Sequence, residues 1–337
     1  MRKIGMEEHF FTEEYLDYLR SRTDYPRRRI TEDGKTEDIE YTPLCYAKRV
    51  DSDLPTKLID VGGIRQSEMD RAGINMQVLS LALPGVEAFD ASDGITWAKK
   101  TNDYLAGVVK EFPQRFAGLA ALPLQEPSAA AGELERAVKE LGLRGASVNS
   151  HVRGEYLDNK KYWIVFETAE RLGVPIYIHP REPSPDIAKL LSPYPGLWAA
   201  LWGFGADVGL HTVRLICSGV FDQYPRLKII IGHMGEALPF WLWRLDNHWA
   251  RMPMAARLKR KPSEYIKDNF LMTTSGMFSQ PALLCAYLTL GADNILFAVD
   301  YPHELSEAAV AFMDSAPICD SDKEKIYHLN AEKLLKL

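Results

Sequence analysis

The chain has 337 residues, 46% of them hydrophobic and 26% charged, a composition ordinary for a globular protein with a sizeable core. Its net charge is −6 and no basic block stands out, which argues against a nucleic-acid partner. Met1-Arg2-Lys3 runs at once into Glu7, Glu8 and His9, so no signal-peptide core is expected, and no window approaches the roughly 18 uncharged apolar residues of a membrane helix. The four cysteines, Cys45, Cys217, Cys285 and Cys319, are widely spaced and form no C-x-x-C pair; reduced thiols in a cytoplasmic protein are the expectation.

Lys3–Glu8 reads as a first short strand, ending in Glu7-Glu8-His9-Phe10, with an amphipathic helix after it over Glu13–Arg20. A long polar insert, about residues 21–58, carries Arg27-Arg28-Arg29 and several acids. It reads as a loop, and its arginines as a solvated surface or a subunit contact rather than a phosphate site. Beyond Ile59 the pattern becomes regular. Strands are expected at Met76–Ser80, Phe116–Ala120, Gly145–Asn149, Val174–His179, Leu227–Ile231, Phe270–Thr274 and Ile295–Val299. Helices are expected at Ile64–Asp70, Ile95–Glu111, Pro127–Leu141, Tyr162–Leu172, Val208–Ser218, Pro239–Ala250, Leu283–Leu288, Glu307–Asp314 and Asp322–Lys336, with a long loop over Pro180–Gly205. Most of the strands are short and apolar without clean alternation, as parallel strands covered on both faces are. The pattern predicts an α/β chain folded over residues 1–337 as one (β/α)8 TIM barrel with a polar insert. A doubly wound open sheet is the runner-up, but no G-x-G-x-x-G follows the first strand.

In a barrel, residues at the C-terminal ends of strands meet at one mouth. Glu7 and His9, two apart on a strand, face the same side. His179 closes a middle strand and Asp300 follows the last. Two carboxylates and two imidazoles so delivered make a first shell for one divalent transition metal, zinc or manganese, with room for substrate.

The run Ile229-Ile230-Ile231-Gly232-His233-Met234-Gly235-Glu236 places a further imidazole just past a buried strand. His233 reads as a proton-handling group beside the metal, with Glu236 to orient it or relay its proton. Arg244 can grip an anionic oxygen in a fork, or pair with Asp246. Asn149 can offer its amide to substrate or cap its loop. Trp198, Trp202, Phe204 and Tyr301 can wall an aryl pocket. Ser275-Gly276 reads as shaping the mouth, and nothing resembles a nucleophile elbow or a Walker loop.

With these residues in view, the chain resembles the metal-dependent decarboxylases of the amidohydrolase superfamily, over nearly its whole length. Those enzymes include γ-resorcylate, 2,3-dihydroxybenzoate, 5-carboxyvanillate and aminocarboxymuconate semialdehyde decarboxylases. The resemblance rests on Glu7-Glu8-His9-Phe10, Val148-Asn149-Ser150-His151, Tyr177-Ile178-His179-Pro180, Gly232-His233-Met234-Gly235-Glu236, Asp300-Tyr301-Pro302 and Asn330-Ala331-Glu332-Lys333, with Gly219–Pro225 as a further match. Around Gly203–Asp246 the chain is most similar to the 5-carboxyvanillate enzymes. The resemblance implies a metal held by Glu7, His179 and Asp300. His9 stands at a position that is histidine in some relatives and alanine in others. It also implies proton handling by His233 with Glu236, and an arginine of the early insert, matched by Arg49, on the substrate. His303 stands where the 5-carboxyvanillate enzymes place a substrate-touching tyrosine.

The expected activity is therefore non-oxidative decarboxylation of a small hydroxylated aromatic carboxylate, with Asp300 as proton donor to the ring carbon. One divalent metal per subunit and no organic cofactor are expected, in a homodimer or homotetramer. A metal-dependent hydrolase or hydratase of the same superfamily is the alternative, and a non-catalytic scaffold a third.

Overall fold

The computed structural model describes residues 1–51, 53–194, 196–253 and 258–337; residue 52 of the expected insert and residue 195 of the expected Pro180–Gly205 loop lie outside them. Strand β1 (Ile4–Phe10) is buried throughout, and the chain then forms β2 (Arg27–Ile30), β3 (Thr36–Glu40) and β4 (Tyr46–Asp51) before β5 (Met76–Leu81). The strands that follow are β6 (Phe116–Gly118), β7 (Ala146–Asn149), β8 (Ile176–His179), β9 (Ile229–Ile231), β10 (Phe270–Thr273) and β11 (Ile295–Leu296).

Two parallel ladders, β1-β5-β6 and β7-β8-β9-β10-β11, are joined at both edges. On one side the Ala120 N–H donates to Gly145 O at 2.9 Å and the Ser147 N–H to Ala120 O at 2.9 Å. On the other, the Met6 N–H donates to Phe297 O at 3.0 Å and the His9 N–H to Tyr301 O at 2.8 Å. Among the described residues the ring therefore runs through eight strands in chain order and returns to β1, as a (β/α)8 barrel requires.

Alternation along each strand sorts the side chains. Ile230, Tyr177, Leu271 and Leu296 pack in the barrel interior, whereas Ile229 and Ile231 pack outward with the surrounding helices. Continuing that period places His179 and Gly232 at the inner mouth. In β1 the register shifts between Gly5 and Glu8. That irregularity lets Ile4 and Met6 point inward below while Glu7 and His9 point inward above.

The insert departs from the expected loop. It is a three-stranded antiparallel sheet, β2-β3-β4, with a helix at Asp53–Ile59 after it. Glu37 and Ile39 of β3 are buried between half-exposed Thr36, Asp38 and Glu40, the period-2 pattern of a one-sided strand. The acid at an inward position hid that pattern. Glu37 is tolerated because Arg20 and Arg28 both bond its carboxylate. The triple arginine is thus divided: Arg27 pairs with Glu40, Arg28 is buried, and Arg29 is exposed.

Other differences lie at element ends. The helix expected from Ile95 spans Ala91–Glu111, because the Asp90 side chain accepts the Asp93 N–H at 3.0 Å and caps it earlier. The Pro180–Gly205 loop contains a helix at Pro185–Leu191, and the next helix runs Gly203–Ser218. All four cysteines are free thiols, and among the described residues no helix is long and apolar enough to cross a membrane.

Candidate active site

Four ligand-type side chains converge at the barrel mouth. One ligand atom each from Glu7, His9, His179 and Asp300 lies within 4.8 Å of all the others. His9 Nε2 is 3.1 Å from Asp300 Oδ1, and His179 Nε2 is 3.5 Å from Glu7 Oε1. Glu7 Oε1, His9 Nε2 and Asp300 Oδ1 are buried and accept or donate no hydrogen bond among the described residues. Leaving a buried polar atom unpaired costs about 1–3 kcal/mol, and more for a charged group. Three such atoms in one place define a cradle for a cation. Two carboxylates with two imidazoles are a donor set that fits one divalent transition metal.

The opposite edges of these ligands are tied down. Glu7 Oε2 accepts hydrogen bonds from the hydroxyls of Tyr177, Thr273 and Ser275, which leaves Oε1 alone to face the cradle. His179 Nδ1 lies 3.1 Å from Asn149 Oδ1, so the ring donates there and keeps its Nε2 lone pair inward. Burial, with the neighbouring His9, drives the His179 imidazole well below its ordinary range, toward the neutral form a ligand needs. His9 Nδ1 meets Ser80 Oγ at 3.3 Å. Asn149 is in turn held by Glu87, at 2.8 Å through its backbone N–H and 3.2 Å through its amide. Such outer partners fix ring orientation and tautomer at metal sites.

His233 stands beside this group, its Nε2 3.9 Å from Glu7 Oε1 and 3.8 Å from Asp300 Oδ2. Its Nδ1 is 2.6 Å from Glu236 Oε1. Burial opposes charge on this ring, but the carboxylates of Glu236 and Glu7 outweigh it and hold the imidazole protonated well above its usual range. For Asp300, burial is likewise outweighed, by His233 and His9, and its carboxyl is held below the ordinary carboxylate range. The turn that presents His233 is strained. His233, Met234, Glu236 and Ala237 all have φ between 50° and 61°, and Asp300 has φ 78°. Left-handed non-glycine residues cost on the order of 1–3 kcal/mol each and persist where a site needs them. Gly232 permits the close approach, since a Cβ there would sit 3.1 Å from Glu7 Oε2 and from the Tyr177 hydroxyl.

Above the cradle opens a cavity of about 890 Å³. His9, His179, His233, Glu236, Asp300 and His303 line it, so the structure brings these expected residues together. Trp198, Trp202 and Phe204 are in its wall as expected. Tyr301 is instead buried behind the site with its ring 4.5 Å from the Arg65 guanidinium. Three other residues depart from the expected substrate contacts. Asn149 is absent from the lining because its amide is committed to His179 and Glu87. Arg49 is 74% exposed at its side chain and pairs with Asp33 on the outer side of the insert sheet. Arg244 is on the exposed face of the helix Leu238–Trp249, outside the lining, and Asp246 bonds Ser263 at 2.6 Å.

Several contributors were not singled out from sequence. Glu8, between two inward residues, points outward and accepts the Val299 and Tyr301 N–H groups at 3.1 and 3.0 Å, locking β1 to the last strand. Burial pushes its carboxyl up to about 8 against those two bonds. Its signal was the parity of three consecutive residues. The hydroxyl trio on Glu7 had only a weak signal: Tyr177 and Thr273 lie inward on β8 and β10, on either side of β9, and Ser275 reads in the sequence only as shaping the mouth. Arg28 gave none, because its neighbours Arg27 and Arg29 are ordinary surface groups.

Comparison with known proteins agrees with this geometry. The family model described as Amidohydrolase matches residues 57–337. The γ-resorcylate decarboxylase of Polaromonas sp. is 40% identical over 344 aligned residues, covering 99% of this chain and 98% of that one. A crystal structure of 5-carboxyvanillate decarboxylase from Sphingomonas paucimobilis is 39% identical with TM-score 0.90, over 100% of this chain and 99% of that one. A dihydroxybenzoic acid decarboxylase from Polaromonas sp., with bound manganese and the inhibitor 2-nitroresorcinol, is 39% identical with TM-score 0.86, over 100% and 97%. With the barrel, the ligand cluster and full-length relatives in agreement, this chain belongs to the amidohydrolase family.

Proposed function

We propose that this chain is a divalent-metal-dependent carboxy-lyase that releases CO2 non-oxidatively from a hydroxylated aromatic carboxylic acid. The observation that carries the reading is the cradle of Glu7, His9, His179 and Asp300, with three unpaired buried atoms, set against the cationic His233. Relatives of 36–40% identity along the full chain are γ-resorcylate decarboxylases, which supports the substrate class. Glu7, His9, His179 and Asp300 would hold a divalent metal, manganese or zinc, which would supply Lewis acidity toward an anionic substrate oxygen; a Polaromonas relative carries bound manganese.

The residues of the chain handle the proton. Decarboxylation needs one delivered to the ring carbon that bears the carboxylate. His233, held cationic by Glu236, is the reserve, and Asp300 Oδ2, 3.8 Å from its Nε2, hands the proton on. The new C–H bond interrupts aromaticity. Cleavage of the bond to the carboxylate then returns its electron pair to the ring and frees CO2. The aromatic and apolar wall keeps water from the charged groups and strengthens their interactions.

Trp202, Phe240 and Trp243, each at least 64% exposed, are large apolar side chains whose burial against a second copy supports a homodimer or homotetramer. Four free thiols support a cytoplasmic setting. Metal analysis, followed by CO2 measurement with 2,6-dihydroxybenzoate and 5-carboxyvanillate, tests the reading. Stoichiometric metal with turnover of an ortho-hydroxy aryl acid is expected. Lactone hydrolysis without any CO2 release overturns it.

A further inference from the structure

The insert sheet contributes to the cavity wall, and among the described residues Arg28 is the one arginine or lysine in the lining. Arg28 of β2 is opposite Ile39 of β3, which is opposite Ala47 of β4, and all three line the cavity. Arg28 is 3% exposed. Its Nε donates to Glu37 Oε2 at 2.8 Å, but its Nη2 is buried with no hydrogen-bond partner among the described residues. Glu37 also serves Arg20, so Arg28 shares its one carboxylate partner with a second guanidinium group. Much of the remaining cavity wall is apolar, with Leu54, Leu58, Trp198 and Val213 among its members. The volume, about 890 Å³, is near the top of the roughly 300–1,000 Å³ typical of drug-sized ligands. A single ring with two hydroxyls fills a small part of it.

We propose that the preferred substrate is longer than a dihydroxybenzoate: a hydroxylated aryl carboxylate bearing, away from its reacting carboxylate, an apolar arm that ends in an anionic oxygen received by Arg28 Nη2. The inference rests on the decarboxylase reading. Arg28 is the specificity-determining residue for the arm. It stands apart from the proton-handling groups, and a charge-assisted hydrogen bond at this depth is worth a ten- to hundred-fold preference.

The test uses the manganese-loaded full chain and three acids: 2,6-dihydroxybenzoate, its 4-butyl derivative and its 4-(3-carboxypropyl) derivative. In the wild type, kcat/KM for the carboxypropyl acid should exceed that for the butyl acid at least ten-fold, chiefly through KM. In Arg28→Met that ratio should fall to about one, and Arg28→Lys should restore part of it. A purely structural role for Arg28 would lower both acids together and leave the ratio unchanged. A wild-type ratio near one, or a ratio preserved in Arg28→Met, overturns the proposal. If Arg28→Met does not fold, the wild-type ratio decides alone. Turnover of 2,6-dihydroxybenzoate with a ratio near one leaves the decarboxylase reading standing without the arm. No CO2 from any of the three acids brings down both.

Discussion

Glu236 holds a carboxylate oxygen 2.6 Å from His233 Nδ1, and this contact fixes which face of the imidazole meets the reaction. With Nδ1 committed to Glu236, only Nε2 can exchange a proton with Asp300. Glu236→Gln keeps the shape but removes the charge that holds the ring protonated. Its kcat should fall about 10²- to 10⁴-fold, the usual range for a lost general acid–base function. Because the ring then releases its proton more readily, the alkaline limb of the kcat–pH profile should move to lower pH. An unshifted limb would remove His233 as the proton reserve.

Asp300→Asn tests the hand-over itself. Asn retains an oxygen facing the cradle and loses the ability to carry the proton. Metal content should stay close to one per chain while CO2 release falls at least 10²-fold. Wild-type turnover in this variant would eliminate Asp300 as the donor.

Asn149→Ala probes the support behind the metal. The substitution frees His179 Nδ1 and removes the amide bond to the buried Glu87 carboxyl, while the bond from the backbone N–H of residue 149 remains. Metal affinity should fall about 10- to 100-fold, as is typical when the outer partner of a ligand is lost. A competition titration against a chelator of known affinity measures it. With excess metal, kcat should recover most of its wild-type value.

Chelation should also destabilise the fold. Without the cation, three buried polar atoms lose their partner, and a ligand at a thousand times its Kd contributes about 4 kcal/mol to stability. Melting of chelated protein and of protein resupplied with manganese should differ by several degrees, with the resupplied form higher.

A cluster behind β7 predicts acid sensitivity of a different origin. His211 Nε2 accepts the Leu157 N–H at 3.1 Å, and its Nδ1 meets Ser150 Oγ at 3.2 Å. Burial, together with His151, lowers its imidazole to about 3. In the unfolded chain the ring takes its proton near pH 6.5, so between pH 6.5 and 3 the unfolded state binds more protons and stability falls as pH falls. At pH 5 this amounts to about 2 kcal/mol. Urea unfolding at pH 7 and pH 5 should show the wild type losing about that much more than His211→Gln, whose side-chain oxygen can still accept the Leu157 N–H.

The sequence carried the barrel because its strands are apolar runs, whose burial is decided by composition alone; Ile229-Ile230-Ile231 admits little else. The candidate ligand cluster was legible for a related reason: Glu7, His9, His179 and Asp300 interrupt, end or directly follow such a run, where a polar group stands out. The insert was not legible, since its inward positions include Glu37 and Arg28, which look like surface until they are paired. Arg49 was singled out in their place because it falls near the family's arginine along the chain, whereas the register Arg28↔Ile39 decides which arginine faces the cavity. The roles of Asn149 and Glu8 depend on what lies behind a strand end, which spacing along one strand does not encode.

The three consecutive residues Glu7-Glu8-His9 have a consequence for how the protein is made. Their middle member ties the first strand to residues 299 and 301, and their outer members meet Asp300 between those two. The first and last strands of the barrel are thus joined, and the reactive centre completed, by one and the same seam. During synthesis the N-terminal share of the centre must wait, ligands exposed, for nearly three hundred residues to emerge. Pairing over such a separation forms late in folding. A chain that stops short of Asp300 can hold many correct helices and yet have neither a closed wall nor a reactive centre, so activity reports on the finished protein alone.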